Sequence, residues 1–350
     1  MRLFVFLMLC SQGRLMNTMN CSRSAKLYRY QLPMDSGVVL RDNKLSQRIG
    51  YVIELEYDGK RALGEVSPLP GFSVEDTEQA GIQLQEQLEL WSHNKPLAPY
   101  EELYPSVAFG LSMAMMELEG ELGEHGNYRA APLCTGDPDE LIPVLNEMEG
   151  EKVAKVKVGL YEAIRDGMLV SLFLESIPDL SLRLDANRAW KPEKAKQFIK
   201  YISPSLRQRI SFIEEPCQQP EDSLAFAIDN GVAIAWDETL QDAVKRPDFN
   251  LSDLTGAKAV VIKPTLIGSV ERCVAIIERA KQLGIKPVLS SSIETSLGLT
   301  QIARLAHQYL PEEVPGLDTI GLFQSQLEVA WPNCDLPLET LENQQLIWQS

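Results

Sequence analysis

Histidine is nearly missing from this chain. Of 350 residues only His93, His125 and His307 carry an imidazole, and none closes a strand-like run, so any acid–base chemistry falls to other side chains. Cysteine is scarce too. Cys10, Cys21, Cys134, Cys217, Cys273 and Cys334 lie far apart and form no CxxC pair, which argues against a zinc knuckle and a disulfide framework and fits a reducing cytoplasm. Positive charge is short: 33 Lys and Arg stand against 49 Asp and Glu, a formal −16. Such a surface lacks the excess of cations that a phosphate backbone requires, so nucleic acid is not the expected partner. Long apolar runs are absent as well. The run at 3–10 follows a single Arg and imitates a short signal peptide, but it is too short to span a membrane, and Ser11-Gln12-Gly13-Arg14 makes a poor cleavage site. Residues 1–23 therefore read as an over-long start or a disordered tail, with Met16 and Met19 just before the first convincing strand at 25–32. What remains is a soluble, cytoplasmic protein acting on a small molecule, with a monomer as the expected state and no membrane partner.

A parallel β/α barrel takes roughly 250 residues, so the length leaves room for a barrel and a smaller companion. Between residues 24 and about 122 strand patterns come first and helical ones follow, the order of an α+β unit. Residues 51–57, the Asp58-Gly59 turn and residues 61–66 read as a hairpin. Residues 77–91 and 106–121 read as helices; the second carries Val107, Leu111, Ala114, Met115 and Leu118 on one stripe, with its methionines as core filler. Two loops, 33–42 and 67–73, mix Pro, Gly and apolar residues, a composition suited to closing over something. Beyond a Gly- and Pro-bearing stretch at 126–138, strand-like runs at 153–158, 181–185, 211–214, 232–236, 259–262 and 287–292 alternate with helical ones. That alternation implies a parallel sheet covered by helices.

Charged residues recur in this region at a regular place. Lys155 and Lys157 share one face of a strand. Asp185, Glu214 and Asp237 then each close an apolar run, and Lys263 closes the next; steps of 28, 29, 23 and 26 residues separate Lys157, Asp185, Glu214, Asp237 and Lys263. Each step is about one strand plus one helix with its loops, so a repeating β/α unit brings all of them to the C-terminal end of one barrel, where active sites of this architecture lie. A Lys-x-Lys pair alone reads as a solvated face, and one acid after a strand reads as a helix cap. Three acids in consecutive units, interleaved with lysines, point to a site. With no histidine or thiolate, the donors are hard oxygens suited to Mg²⁺, with Mn²⁺ able to substitute. A metal on a substrate carboxylate stabilises the enolate left when an α-proton is removed, and a lysine can remove that proton if burial and nearby positive charge lower its pKa toward about 7–8. Lys157, beside Lys155, meets that description; Lys263 fits either a second acid–base or a fixed cation.

These residues closely resemble the enolase superfamily. The nearest resemblance within it is to the branch that forms 2-succinylbenzoate, and it is carried also by residues 34–41, 67–73, 127–134, 150–161 and 290–294. It covers nearly everything from about residue 24 to the end of the barrel. The resemblance implies an α/β fold, a modified TIM barrel (β/α)7β with an α+β capping domain. The cap is expected at 24–124, with 325–350 packing back on it, and the barrel at 125–324. The implied reaction is Mg²⁺-dependent syn dehydration of 2-succinyl-6-hydroxy-2,4-cyclohexadiene-1-carboxylate to 2-succinylbenzoate, a step of menaquinone biosynthesis. On this resemblance Lys157 abstracts the α-proton and then protonates the departing hydroxyl, and Asp185, Glu214 and Asp237 hold the metal. Lys155 helps position the substrate carboxylate and lowers the pKa of Lys157, Lys263 faces the ring as a cation, and Ser290 meets the succinyl tail through its backbone. Glu214 is preferred to Glu215 as ligand because it holds the family position and Glu215 points away if the strand continues. Two other readings remain open. One is a racemase or epimerase of N-acylamino acids or dipeptides, using Lys157 and Lys263 as paired proton carriers; the other is a barrel that keeps the site without turnover.

Overall fold

The computed structural model describes residues 23–350 apart from 36–38, 41–42, 135 and 255. The signal-like run and the centre of the 33–42 loop lie outside the described residues.

Strands β1 (Ser24–Pro33), β2 (Gln47–Tyr57) and β3 (Lys60–Val66) form an antiparallel sheet, and the C-terminal strand Gln345–Gln349 adds to the free edge of β1. Asp58 and Gly59 both take positive φ, at 53° and 73°, the conformation of a tight two-residue hairpin turn. Helix α1 (Thr77–Ser92) begins with a capping box in which Asp76 accepts from the Gln79 backbone N–H while Gln79 Oε1 accepts from that of Asp76. Helix α2 (Pro105–Glu119) starts with Pro in its first turn and stops at Gly120, whose φ is 78°. It is buried on nearly every face because it lies between this sheet and the barrel, and Met113 and Met116 sit in the shared core. Full burial of residues such as Val107 and Leu111 stabilises by about 1.5–3 kcal/mol each.

The approach of α2 to β3 depends on two residues without side chains. A Cβ on Gly64 would overlap the carbonyl of Gly110, and one on Gly110 would overlap that of Glu65. Gly64→Ala is therefore expected to destabilise the fold by about 1–3 kcal/mol through overpacking against rigid backbone. Thermal unfolding monitored by circular dichroism reads this as a lowered Tm; an unchanged Tm would mean that helix and sheet can separate freely.

The parallel sheet contains β4 (Leu133–Cys134), β5 (Val153–Lys157), β6 (Ser181–Asp185), β7 (Ile210–Glu214), β8 (Ile234–Trp236), β9 (Ala259–Ile262) and β10 (Lys286–Leu289), paired in sequential order. A helix follows each strand. Those after β5 and β9 are α4 (Ala163–Ser176) and α8 (Val270–Gln282), with α3 (Pro138–Asn146), α5 (Pro192–Ile199), α6 (Pro220–Asn230) and α7 (Glu238–Ala243) between strands and α9 (Ser296–Tyr309) after β10. The eighth position is reduced to a single parallel bridge, Ser290 to Gly316, while Asp318 accepts from the Leu133 backbone on the other side of the gap. This is a (β/α)7β barrel with an α+β cap, as the sequence led one to expect. Inward-facing Phe212, Ala235, Ala259, Val261 and Val288 make a small core of their own one layer below the mouth.

Cap and barrel meet through a buried carboxylate. Glu65, on β3, accepts from the Thr295 backbone N–H (3.0 Å), Thr295 Oγ1 (2.6 Å) and the Gly298 N–H (2.8 Å) at the N-terminus of α9, and from the Tyr30 hydroxyl (2.8 Å). Unsatisfied N–H groups and the positive end of the helix dipole favour an anion there, which offsets the cost of burying it.

Candidate active site

Strand alternation decides which side chains enter the barrel. In β5, Lys155 and Lys157 point inward while Ala154 and Val156 are fully buried in the outer layer against the helices. The register sets Lys157 opposite Asp185 and Asp185 opposite Glu214, so these three share one rung at the C-terminal rim. Asp237 and Lys263 stand immediately after β8 and β9. Ser290 follows β10, where its N–H donates to the Ile262 carbonyl (2.9 Å) and its hydroxyl to that of Gly316 (3.1 Å). The residues singled out from the sequence thus reach one end of one barrel.

Their charges are tightly engaged. Lys155 Nζ donates to Glu214 Oε2 at 2.8 Å and lies 3.0 Å from Asp185 Oδ2; Lys263 Nζ donates to Asp237 Oδ2 at 2.6 Å. Asp185, Glu214 and Asp237 are 7%, 3% and 0% exposed. Burial pushes the Glu214 carboxyl up to about 7, Lys155 pulling it down and Asp185 and Asp237 adding to the rise. Asp185 keeps its carboxyl below the usual range: burial opposes its charge, but Lys155, Lys263 and Lys157 together outweigh it. Burial also opposes the Lys155 ammonium, and the surrounding carboxylates hold its pKa above that of an ordinary lysine. Lys157 differs from both other lysines. It is half-buried and makes no hydrogen bond or ion pair with another described residue, leaving its amine free at the mouth.

Glu214 and Glu215 part company at the strand end. Glu215 leaves the extended conformation (φ 40°) and turns outward, accepting from the backbone N–H groups of Asp237 (3.0 Å) and Thr239 (2.7 Å) and from Arg188 Nε (3.2 Å). It thereby serves the N-terminus of α7. Asp237, at the N-cap position of the same helix, makes no capping bond and keeps its carboxylate inside the barrel, where Gln241 Nε2 donates to its other oxygen at 2.7 Å. The helix-cap explanation of that acid is excluded.

Four neighbours were not singled out from the sequence. Gln241 lies in α7, one turn past Asp237. Asn187 donates its backbone N–H to Asp185 (3.1 Å) and its side chain to Glu238 (3.2 Å). Glu238 is buried, its carboxyl pushed up to about 7 by burial and then by Asp237, and its second oxygen lacks a hydrogen-bond partner among the described residues. Only its place beside Asp237 could have drawn attention to it. Arg183 also points inward, one rung below the mouth, over the face of Phe212.

The donor set fits a hard divalent cation. Its acids are buried, crowded and all oxygen, and the crowding that raises Glu214 is what a bound cation relieves. Among the described residues no three such side chains converge closely enough to hold an ion as they stand. The physical reason is visible in the ion pairs: the Lys155 and Lys263 ammonium groups lie against the carboxylate oxygens, as a metal would.

The parallel barrel, its cap and this ring of lysines and carboxylates define a protein of the enolase superfamily. Residues 144–342 match the family model described as enolase C-terminal domain-like, and residues 22–118 match that of the MenC N-terminal domain. The chain belongs to the o-succinylbenzoate synthase family: it is 64% identical over 328 residues to the o-succinylbenzoate synthase of Vibrio cholerae, spanning 94% of this chain and 98% of that one. That of Aliivibrio fischeri is 57% identical over 94% of this chain and all of its own. Solved structures show the same fold at lower identity. The Mg-complexed o-succinylbenzoate synthase of Thermosynechococcus elongatus has a TM-score of 0.69 at 22% identity, covering 83% of this chain and 92% of that one. The L-Ala-D/L-Glu epimerase of Bacillus subtilis has 0.71 at 19%, covering 86% and 91%. Shape alone does not separate synthase from epimerase; sequence identity does.

Proposed function

We propose that this chain is a lyase that catalyses the syn dehydration of 2-succinyl-6-hydroxy-2,4-cyclohexadiene-1-carboxylate to 2-succinylbenzoate in menaquinone biosynthesis. The observation that carries this reading is the match to known o-succinylbenzoate synthases over nearly their whole length, in a chain whose lysines and carboxylates meet at one mouth.

Asp185, Glu214 and Asp237 would hold Mg²⁺, or Mn²⁺ in its place. Bound there, the ion would supply fixed positive charge to a substrate carboxylate. Lys157 takes the proton from the carbon bearing that carboxylate, and the C–H electron pair moves into the ring system. The resulting ammonium returns its proton to the hydroxyl on the same face; the C–O bond breaks, water leaves, and the ring becomes aromatic. One lysine carrying both transfers accounts for the syn outcome. Lys155, released from Glu214, meets the substrate carboxylate and adds positive charge beside Lys157. Lys263 faces the ring as a fixed ammonium where negative charge develops. Ser290 presents its backbone to the succinyl tail.

The setting is the cytoplasm, in keeping with Cys134, Cys217, Cys273 and Cys334 all being free thiols. No described helix is long and apolar enough to cross a membrane. Proton NMR of the Mg²⁺-loaded protein with the cyclohexadiene carboxylate should show 2-succinylbenzoate accumulating. Absence of that product, together with exchange of the α-proton of N-acylamino acids or dipeptides in D₂O, would replace this reading with the epimerase one.

A further inference from the structure

Arg48 is 1% exposed, and among the described residues it has no carboxylate within ion-pair distance. A buried guanidinium needs its fixed fork of five N–H donors satisfied. Here backbone carbonyls take four of the five: Nη1 donates to Pro68 O (2.6 Å), Nη2 to Ser67 O (2.6 Å) and Ser292 O (3.4 Å), and Nε to Ile293 O (2.8 Å). Two acceptors belong to the cap loop after β3. The other two belong to the turn that leaves β10 just past Ser290.

That turn carries strain. Ile293 has φ 62°, a conformation that a β-branched residue reaches only when its surroundings impose it. Arg48 grips the Ile293 carbonyl itself. The next residue, Glu294, accepts from the Ser292 N–H (2.7 Å) and from Thr265 Oγ1 (2.6 Å), and Thr265 lies two residues past Lys263. One cap side chain therefore ties the 67–68 loop, the end of the Ser290 strand and, through Glu294, the segment after Lys263.

Building on the proposed reaction, we propose that Arg48 is a positioning residue: it sets the cap loop against the Ser290–Ile293 backbone and so shapes the wall that receives the part of the substrate remote from the reacting carbon. It touches neither substrate nor the proton-carrying lysine. Loss of such a wall weakens ground state and transition state alike, which raises KM and leaves kcat nearly unchanged.

The test uses Arg48→Lys, which keeps the charge but lacks the fork, and Arg48→Met, which removes both. In variants with wild-type near-ultraviolet circular dichroism, KM for the cyclohexadiene carboxylate should rise about tenfold or more with kcat within about threefold. Affinity for 2-succinylbenzoate, measured by calorimetry, should fall in parallel, and less in Arg48→Lys than in Arg48→Met. Folded variants with wild-type KM and product affinity overturn the proposal. So does a fall in kcat at unchanged KM, and so does failure of both variants to fold, which would make Arg48 a folding residue only. A wild-type protein that neither turns over the substrate nor binds the product overturns the reaction itself, and Arg48's part with it, before any variant is made.

Discussion

Replacing Lys157 by alanine is expected to lower turnover by about 10⁴-fold or more while leaving the protein folded. The size follows from the double duty proposed for its amine. Without it, neither removal of the α-proton nor protonation of the leaving hydroxyl has a positioned carrier, and water cannot enter from the same face with the same geometry. Stability should be spared because the Lys157 amine has no partner among the described residues, so its loss orphans no buried group. Lys155→Ala is different in kind: it strips the ammonium that lies between Asp185 and Glu214 and leaves two buried acids in mutual repulsion. Steady-state kinetics with circular dichroism on both variants separates the cases. A Lys157→Ala protein with substantial turnover would remove the lysine from the chemistry.

Removing the divalent ion is the second large effect. Dialysis against a chelator should abolish turnover, by about 10³-fold or more if the ion supplies several kcal/mol of charge stabilisation, and added Mg²⁺ should restore it. The metal-free protein should remain folded, because Lys155 and Lys263 lie 2.6–3.0 Å from the three carboxylates and take up part of the cation's role. Asp237→Asn should raise the Mg²⁺ concentration needed for half-maximal activity, since an amide brings one oxygen and no charge. Full activity in chelator, or an unaltered Mg²⁺ requirement in Asp237→Asn, would contradict this arrangement.

The ring of charged residues was legible because strand alternation and the length of a β/α unit are local rules. Lys155 with Lys157, and acids one unit apart, follow from them without knowledge of any contact. The seams were not. Glu65 reaches the N-terminus of α9 from 230 residues away, and Arg48 finds Ile293 across 245; each looks from the sequence like an ordinary charge, and only tertiary packing reveals the partners. Strand β4 escaped notice because two residues carry no period. The eighth strand position, a single bridge at Gly316, has no sequence pattern at all. Around the carboxylates, Asn187, Glu238 and Gln241 were passed over because their roles depend on how the chain turns after each strand, as the outward swing of Glu215 shows.

The measurement that bears most directly on the central claim is ultraviolet-monitored conversion of the cyclohexadiene carboxylate by wild type and Lys157→Ala, each with Mg²⁺ and with chelator. Growth of the aromatic product's absorbance is expected in one of the four samples only, wild type with Mg²⁺. Absence of that growth from folded, metal-loaded wild type, or its persistence in the alanine variant, would contradict it.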